Sequence, residues 1–554
     1  MRITCAIFLW LAGGAVQAVA QASGNLPKSA AEKLQQQVKT RITVNGKADS
    51  AIDRRSEQAF MPWKDKVIRK IDIKHISFER NFYDTTRQVR MRSVARLANR
   101  LHVTTREQMI RDNLFIRSGR PLDPYKLADN ERYLRDLDFL LDATIAVVPL
   151  EHTSDSVDLV IFTRDVFSLG GNFSPRSVDR YRFGVYDVNV GGYAQRLGFN
   201  ALYDAARHPQ MGYQVLYSKY SVAGSLINAT LSFTQLNNGS SLGMEDEYAV
   251  YLRLDRPLVS PYTRMAGGVE ISRNWSVNVY DKSPADFRQY SYNITDVWAG
   301  YNLGIRNRQE NRGRHFIGFR IFDQHFNQRP AQPAEVNNPV YNHQRYWLGG
   351  VTFFKQNFYK TRYIYGFGRT EDVPYGRQLT LVAGKVSQLQ RSRPYAGAEF
   401  TFSGVRKNGD FLTATLSAGG FVRNRSAEDL VVAAQLTFFS RILEWHHSKV
   451  RQSVTLSYST LYNQQTLAPL SLRSELGLNS FPADSLLGNR RLGVQAETLL
   501  FTPASLSGLS ACPAGVCRGR AYCRSGPKAA GAAGLAKPGC RHAHPQRKPG
   551  VRHH

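Results

Sequence analysis

The sequence predicts a mainly β protein, a transmembrane antiparallel β-barrel preceded by one small β-α-α-β-β module. The barrel is predicted because, from Phe167 onward, segments of roughly 10 to 14 residues alternate apolar with polar side chains between Gly, Asn, Asp and Pro. The module is predicted from helical and strand patterns between Val67 and Val166. A barrel needs no long apolar run, so the low mean hydropathy of the chain does not exclude a membrane location.

The N-terminus has the pattern of a secretory signal. Ile3 to Ala15 is apolar, Arg2 precedes it, and small residues around Ala20 follow. At about 13 residues this stretch is too short to span a bilayer as a helix. We therefore predict a signal peptide over residues 1–22, followed by a polar, mobile linker over residues 23–65.

Residues 66–166 have the pattern of a compact α/β module. A first strand alternates around Ile71, and Thr104 with Glu107 forms a capping box ahead of a first helix. Asp123 is the expected N-cap of a second helix, with a proline at its first position. The apolar face of that helix is marked by Leu127, Leu134, Leu137 and Leu141, and two strands follow, at Thr144 to Leu150 and Val157 to Ile161.

Residues 167–503 have the alternation expected of strands that cross a bilayer. In each strand one face is apolar or aromatic, and the other carries Thr, Ser, Asn or charge. A soluble β-sandwich shows the same alternation, usually over shorter strands, so strand length favours the barrel. Clear apolar faces are formed by Ile227, Ala229, Leu231 and Phe233; by Tyr248, Val250, Leu252 and Leu254; by Leu412, Ala414, Leu416 and Ala418; and by Val454, Leu456 and Tyr458.

Residues 504–554 form an anomalous basic tail, rich in Cys, Gly, Pro and Ala, in which the strand pattern stops. Of the net charge of +29, nine positive charges lie in residues 502–554, which contain no Asp or Glu. Four of the five cysteines also lie there, without the paired spacing of zinc ligands, so we predict no metal site and no cofactor. Our hypothesis is a frameshift near codons 503 to 510; the alternatives are a genuine basic extension and a metal-binding tail.

Two short motifs stand out within the strand-rich region. The first runs from Asp187 to Ala194, and a segment containing Gly198 follows it. Taken alone, it fits an ordinary Asn/Gly hairpin turn. The second motif runs from Gly477 to Pro482 and is followed by Leu487 to Leu492.

Together with the exported β-α-α-β-β unit, these motifs resemble the BamA/TamA-type outer-membrane superfamily, also known as the bacterial surface antigen family. Its members join periplasmic polypeptide-transport-associated (POTRA) modules to a C-terminal barrel of about 16 strands, a set that a frameshift would leave incomplete here. The resemblance covers roughly residues 66–503. It assigns an early hairpin to Asp187, Asn189, Gly192 and Gly198, and a lumen-loop motif to Leu478, Asn479, Ser480, Phe481, Gly488, Asn489 and Arg490.

The chain departs from the family pattern at two places. Ala194 stands where a glycine is common, and Asn479 with Ser480 replaces an Arg-Gly pair. The second change removes a guanidinium fork, so a bidentate, charge-assisted contact with the barrel wall cannot form at that position. Either the chain holds its loop by another contact, or the segment is a simple loop beside a generic strand.

The resemblance implies a factor for outer-membrane protein assembly or translocation. Such a factor binds extended clients through its POTRA module and inserts or exports them via its barrel without ATP. Its partners would be unfolded outer-membrane or secreted client proteins, outer-membrane lipids and accessory periplasmic or lipoprotein subunits. Its location would be the outer membrane of a Gram-negative-type cell, with the N-terminal domain in the periplasm. The alternative is a passive outer-membrane pore or structural surface barrel with no insertase activity.

We predict that the chain is not an enzyme and does not bind nucleic acid. The histidines His315, His325, His446 and His447 accompany no recognisable nucleophile motif, so we assign no catalytic, cofactor-binding or metal-binding residues. The positive charge is spread among arginine-rich loops and the tail, without a nucleic-acid-binding motif.

Overall fold

The structure, a computed structural model, consists of a small α/β module followed by a large antiparallel sheet. It describes residues 54–76, 103–150, 153–175, 177–237, 245–260, 263–303, 313–364, 370–406, 408–445, 448–465, 470–471, 487–501, 515–525 and 539–542. The predicted signal peptide lies outside these residues. A mainly β fold with a preceding α/β module is therefore confirmed.

The module has the predicted order of strand, two helices and two strands. After a short strand β1 (Arg54–Arg55), its elements are β2 (Val67–His75), α1 (Glu107–Arg111), α2 (Pro124–Asp136), β3 (Leu140–Pro149) and β4 (Ser156–Asp165). In its sheet β4 is central, parallel to β2 and antiparallel to β3. Leucine and isoleucine side chains from α2 and all three strands form one buried core.

The two helix starts differ from each other in how they are capped. Asp123 caps α2 as predicted, because its side chain accepts hydrogen bonds from the N–H groups of the next turn. The capping box at Thr104 and Glu107 is wrong: α1 begins at Glu107 after an uncapped Arg106. The Thr105 N–H instead donates to Asp165 Oδ2 at 2.7 Å, so tertiary contacts hold this helix start.

The second helix is also shorter than its leucine spacing predicts. It ends at Asp136, because Leu137 takes an extended backbone that turns the chain towards the sheet. Leu141, predicted on the helix, lies in β3, where pairing with β4 outweighs the local helical spacing.

Part of the predicted linker is packed. Residues 54–65 lie against both parts of the protein, and the Phe60 side chain is fully buried in the module core. Phe60, Met61 and Trp63 are the large apolar residues of this polar stretch, and so short a group gives no periodic signal, so the sequence pattern did not show this contact.

The large sheet is an antiparallel meander. Consecutive strands pair from β5 to β18, and pairing continues through β20, β23, β24 and β25. The strands are β5 (Leu169–Pro175), β6 (Arg180–Asp187), β7 (Gln195–Asp204), β8 (Met211–Lys219), β9 (Asn228–Asn237), β10 (Asp246–Arg256), β11 (Met265–Val277), β12 (Ser291–Leu303), β13 (Gly313–Gln328), β14 (Gln344–Thr361), β15 (Glu371–Gln388), β16 (Arg391–Val405), β17 (Phe411–Arg423), β18 (Ser426–Phe439), β19 (Leu443–Trp445), β20 (Ser448–Tyr462), β21 (Leu470–Ser471), β22 (Leu487–Gly488), β23 (Arg490–Phe501), β24 (Gly515–Ser525) and β25 (Gly539–His542).

The two faces of this sheet have opposite chemistry. One face carries unbroken apolar rows across neighbouring strands, and many of these side chains are exposed. The opposite face carries polar rows, in which hydroxyl groups of neighbouring strands bond to each other. One apolar row is Phe353, Leu379, Phe400, Leu416, Ala434, Tyr458 and Leu492; the adjacent polar row is Gln378, Thr401, Thr415, Gln435 and Ser457.

Strand structure continues into the tail, although the sequence pattern predicts its end near Phe501. The strand β24 pairs with β23, and β25 pairs with β24. Main-chain groups at a sheet edge can pair with any extended segment, so no alternating side-chain pattern is needed. Among the helices that the structure describes, none is long and apolar enough to cross a membrane.

Candidate functional site

The module contacts the hairpin turns at one end of the large sheet. Turns on the β6–β7, β8–β9, β10–β11 and β14–β15 hairpins all bond to it. Examples are Ser221 Oγ, which donates to the Asp112 carbonyl at 3.1 Å, and Ser260 Oγ, which donates to Asp129 Oδ2 at 3.3 Å. We call this contact region the junction. It is the candidate functional site, because it connects the large sheet with the module, the unit that is expected to bind other chains.

The early hairpin is one of these contacts, so it is more than a simple turn. The Asn189 side chain is buried; its amide nitrogen donates to Thr105 Oγ1 at 2.8 Å, and its oxygen accepts from the Ala194 N–H at 2.9 Å. The Asn189 N–H in turn donates to Asp187 Oδ1 at 2.8 Å. Asn189 thus shapes the turn and binds the module at the same time.

Gly192 brings the two backbones together. Its φ is +76°, and its carbonyl accepts from the Arg106 N–H at 3.0 Å. An added Cβ would lie 2.4 Å from the Thr104 carbonyl oxygen, so no larger residue fits without movement. Ala194 also has a positive φ, of +53°, and is buried in the module core. Glycine takes this backbone conformation without steric cost, whereas an alanine takes it less readily.

Gly198, the fourth residue predicted for this motif, has a different place. It lies within β7 opposite Tyr186, and an added Cβ would approach nothing closer than 3.9 Å. The structure therefore brings Asp187, Asn189 and Gly192 together at the junction, and places Gly198 in the strand beyond it.

A buried ion network forms the other main contact, and sequence reasoning missed it. Arg135 on α2 binds Asp372 on β15 with two hydrogen bonds of 2.8 Å, and Glu131 Oε1 at 2.6 Å. Lys360 on β14 donates to the same Glu131 oxygen. The side chains of Glu131, Arg135 and Asp372 are only 2–5% exposed. These four residues are called the junction network below.

The charges in the junction network stabilise one another. Burial by itself would raise the pKa of Glu131, but the positive charges of Lys360 and Arg135 outweigh it and lower that pKa to about 2. Burial would likewise lower the pKa of Arg135, yet Asp372 and Glu131 raise it above its ordinary value. Both groups are therefore charged at neutral pH.

The junction network also bonds to the outer edge of β3. The Ile145 N–H donates to Glu131 Oε2 at 3.1 Å, and Arg135 Nη1 donates to the Ala143 carbonyl at 2.8 Å. Residues two apart on a strand point their main-chain groups to the same side. Glu131 and Arg135 therefore bind main-chain groups on the side of β3 that faces away from β4.

A second edge at the junction is occupied by the chain itself. The strands β14 and β15 have 18 residues each, longer than the sequence pattern predicts, and β14 extends past its pairing with β13. On this extension β1 pairs antiparallel, with Arg54 opposite Lys360, and the Ser56 N–H donates to the Phe358 carbonyl. The junction thus already holds one extended segment by main-chain pairing.

The lumen-loop motif lies only partly within the described residues. Leu478, Asn479, Ser480 and Phe481 fall outside them. Gly488 lies in β22 opposite Leu470, the Asn489 carbonyl accepts from the Leu461 N–H at 2.8 Å, and Arg490 begins β23. The described members of the motif are therefore placed beside β20 and β21.

The buried guanidinium in this region belongs to the next residue. Arg491 is 5% exposed, and its Nη2 donates to Ser459 Oγ at 3.0 Å. Of the four histidines named above, His315 meets the Phe353 ring edge-on and His325 stacks on His343, while His446 and His447 lie outside the described residues. In the part of the chain that the structure covers, no group of three His, Cys, Asp or Glu side chains is arranged to hold a metal ion.

Comparisons with known proteins found structural likenesses but no sequence relatives. No protein-family model and no curated protein matches the chain. It is similar to BamA from Haemophilus ducreyi lacking POTRA domains 1–3, at 10% identity and TM-score 0.31, over 85% of this chain and 83% of that one. It is also similar to CdiB from Acinetobacter baumannii (8% identity, TM-score 0.39, 83% and 70% covered) and CdiB from Escherichia coli (8%, 0.37, 94% and 98%).

With TM-scores below 0.5, these likenesses transfer no activity, client or partner to this chain.

Proposed function

We propose that this protein is an outer-membrane assembly or translocation factor that receives extended client proteins at its module and inserts or exports them through its barrel. The observation that carries the proposal is a strand-presenting α/β module docked on the hairpin end of a sheet with one exposed apolar face. The sheet would anchor the protein in the outer membrane, with the module in the periplasm.

The exposed face supports the membrane location. Side chains such as Phe400, Leu416 and Leu456 are 41–57% exposed and stand in rows several strands wide. Soluble proteins rarely expose apolar patches of this extent, whereas a lipid-facing barrel wall needs them. The alternating polar rows would then face the lumen.

Main-chain pairing supports the client-binding role. The extension of β14 holds the short strand β1 by antiparallel pairing, and β3 is an outer strand of the module sheet. A strand edge binds an extended segment through N–H and C=O groups whatever its sequence. Such binding needs no catalytic group, no cofactor and no ATP, and we propose that the protein is not an enzyme. Its partners would be unfolded outer-membrane or secreted proteins, membrane lipids and accessory periplasmic or lipoprotein subunits.

Depletion in the native cell tests the proposal. We expect the amounts of other folded outer-membrane barrels, or of a specific surface protein, to fall on depletion and to recover when the wild-type chain is expressed again. Folding can be scored by the heat-modifiable migration of each barrel on gels. An outer membrane with unchanged protein content would contradict the proposal and favour a passive pore or structural barrel.

A further inference from the structure

The outer edge of β3 is closed by side chains rather than by another strand. In the module sheet β3 is an outer strand, and the Ala143 carbonyl and the Ile145 N–H point away from β4. Arg135 and Glu131 bind these two groups at 2.8 and 3.1 Å. Charged side chains at an edge are a known way of preventing strand addition.

The other outer strand, β2, is covered differently. Its first half bonds to main-chain groups of residues 119–122: the Ile68 N–H donates to the Arg120 carbonyl at 3.0 Å, and the Gly119 N–H to the Ile68 carbonyl at 2.7 Å. A covalently continuous segment of this kind leaves only by unfolding the module. Side chains can leave β3 by changing rotamer.

The closure of β3 is coupled to docking. Glu131 and Arg135 are four residues apart on α2, and an exposed pair at this spacing is weak. In the docked module the pair is buried, and Lys360 and Asp372 complete the junction network from the large sheet. Undocking would expose the pair to water, where it no longer competes well with a strand for the edge of β3.

We propose that the docked module is the closed state of a strand-accepting edge, and that an extended segment of outer-membrane strand pairs with β3 once the contacts of Lys360 and Asp372 with α2 are broken. This proposal rests on the proposed function and adds its regulation. An added strand would continue the two faces of β3, where Ile145 and Val147 belong to the module core and Ala146 to a second buried cluster. The segment expected therefore carries apolar residues at alternate positions, on the face that continues the module core.

Peptide binding to the purified full-length protein in detergent micelles tests this switch. The probe is a fluorescent peptide with the sequence of residues 411–423, a strand of the predicted barrel type. Two release variants are compared with wild type, Asp372→Asn alone and Lys360→Gln combined with Asp372→Asn. The matched control is Arg320→Gln, which removes a bidentate ion pair with Asp296 inside the sheet.

We expect the double variant to bind the peptide about tenfold more tightly than wild type or more, with the single variant between them, since affinity scales with the open fraction. Hydrogen exchange of residues 140–149 should rise in the same order. The control should match wild type in both measurements. A peptide methylated on alternate backbone nitrogens, which cannot add to a strand edge, should show no gain.

Three results would overturn the switch. In the first, the release variants exchange faster at residues 140–149 but bind the peptide no more tightly than wild type. In the second, their exchange at these residues stays at the wild-type rate. In the third, the methylated peptide gains as much affinity as the unmodified one. The single variant keeps an amide oxygen as acceptor, so it is informative even where the double variant misfolds. None of these results bears on the depletion experiment, so the switch and the proposed function can fail separately.

Discussion

Replacing Arg135 with alanine is the strongest test of the junction network. The change leaves the carboxylates of Glu131 and Asp372 buried, and it leaves the Ala143 carbonyl without this donor. Removing one partner of a buried ion pair costs about 3–5 kcal/mol. Since about 1.4 kcal/mol corresponds to a factor of ten, the equilibrium constant for docking of the module on the sheet should fall by roughly two to three and a half powers of ten.

The matched control is Arg69→Ala, in the same module. Arg69 also binds a carboxylate, that of Asp158, with one hydrogen bond of 2.8 Å from Nε and another from Nη2. Its side chain is 59% exposed, so water and salt replace the interaction readily and we expect no measurable change. The two variants therefore remove similar pairs that differ in burial.

The assay is hydrogen exchange of the full-length protein, followed by mass spectrometry of peptides from residues 124–149. Arg135→Ala should speed exchange there by two orders of magnitude or more, and Arg69→Ala should leave it unchanged. Equal effects of the two variants, or unchanged exchange in Arg135→Ala, would refute the conclusion that burial in the junction network holds the module on the sheet.

Three further predictions concern pH, the early hairpin and the apolar face. The pKa of Glu131 is lowered from its ordinary value of 4.5 to about 2, so docking should be at full strength above pH 4.5 and should weaken as the pH falls from there towards 2. Faster hydrogen exchange in the module would report this weakening. Gly192→Ala should cost more than about 1–2 kcal/mol, from its positive φ and its close backbone contact, while Gly198→Ala should leave thermal unfolding nearly unchanged. Leu416→Lys should lower stability in lipid vesicles by about 2–4 kcal/mol, and Ser417→Lys, on the opposite face, should lower it far less; equal losses would contradict the assignment of faces.

The sequence by itself determined the features that depend on neighbouring residues. Alternation of apolar and polar side chains specified the strands and the faces of the large sheet, as at Val250, Leu252 and Leu254. The Asp123 cap and the order of the module elements were also predictable, since capping and periodicity act within a few residues. The early hairpin was recognised as a motif, although its contact with the module was not.

Only the tertiary structure decided how the module meets the sheet. Glu131 and Arg135 have the spacing of an ordinary surface pair, and their partners Lys360 and Asp372 lie more than 200 residues away in the chain. The start of α1 depends in the same way on Asp165 and Gly192, which lie far from Thr104 in sequence. Local patterns carry no information on which distant charges will be buried together, and burial is what makes it costly to remove one partner of such a pair.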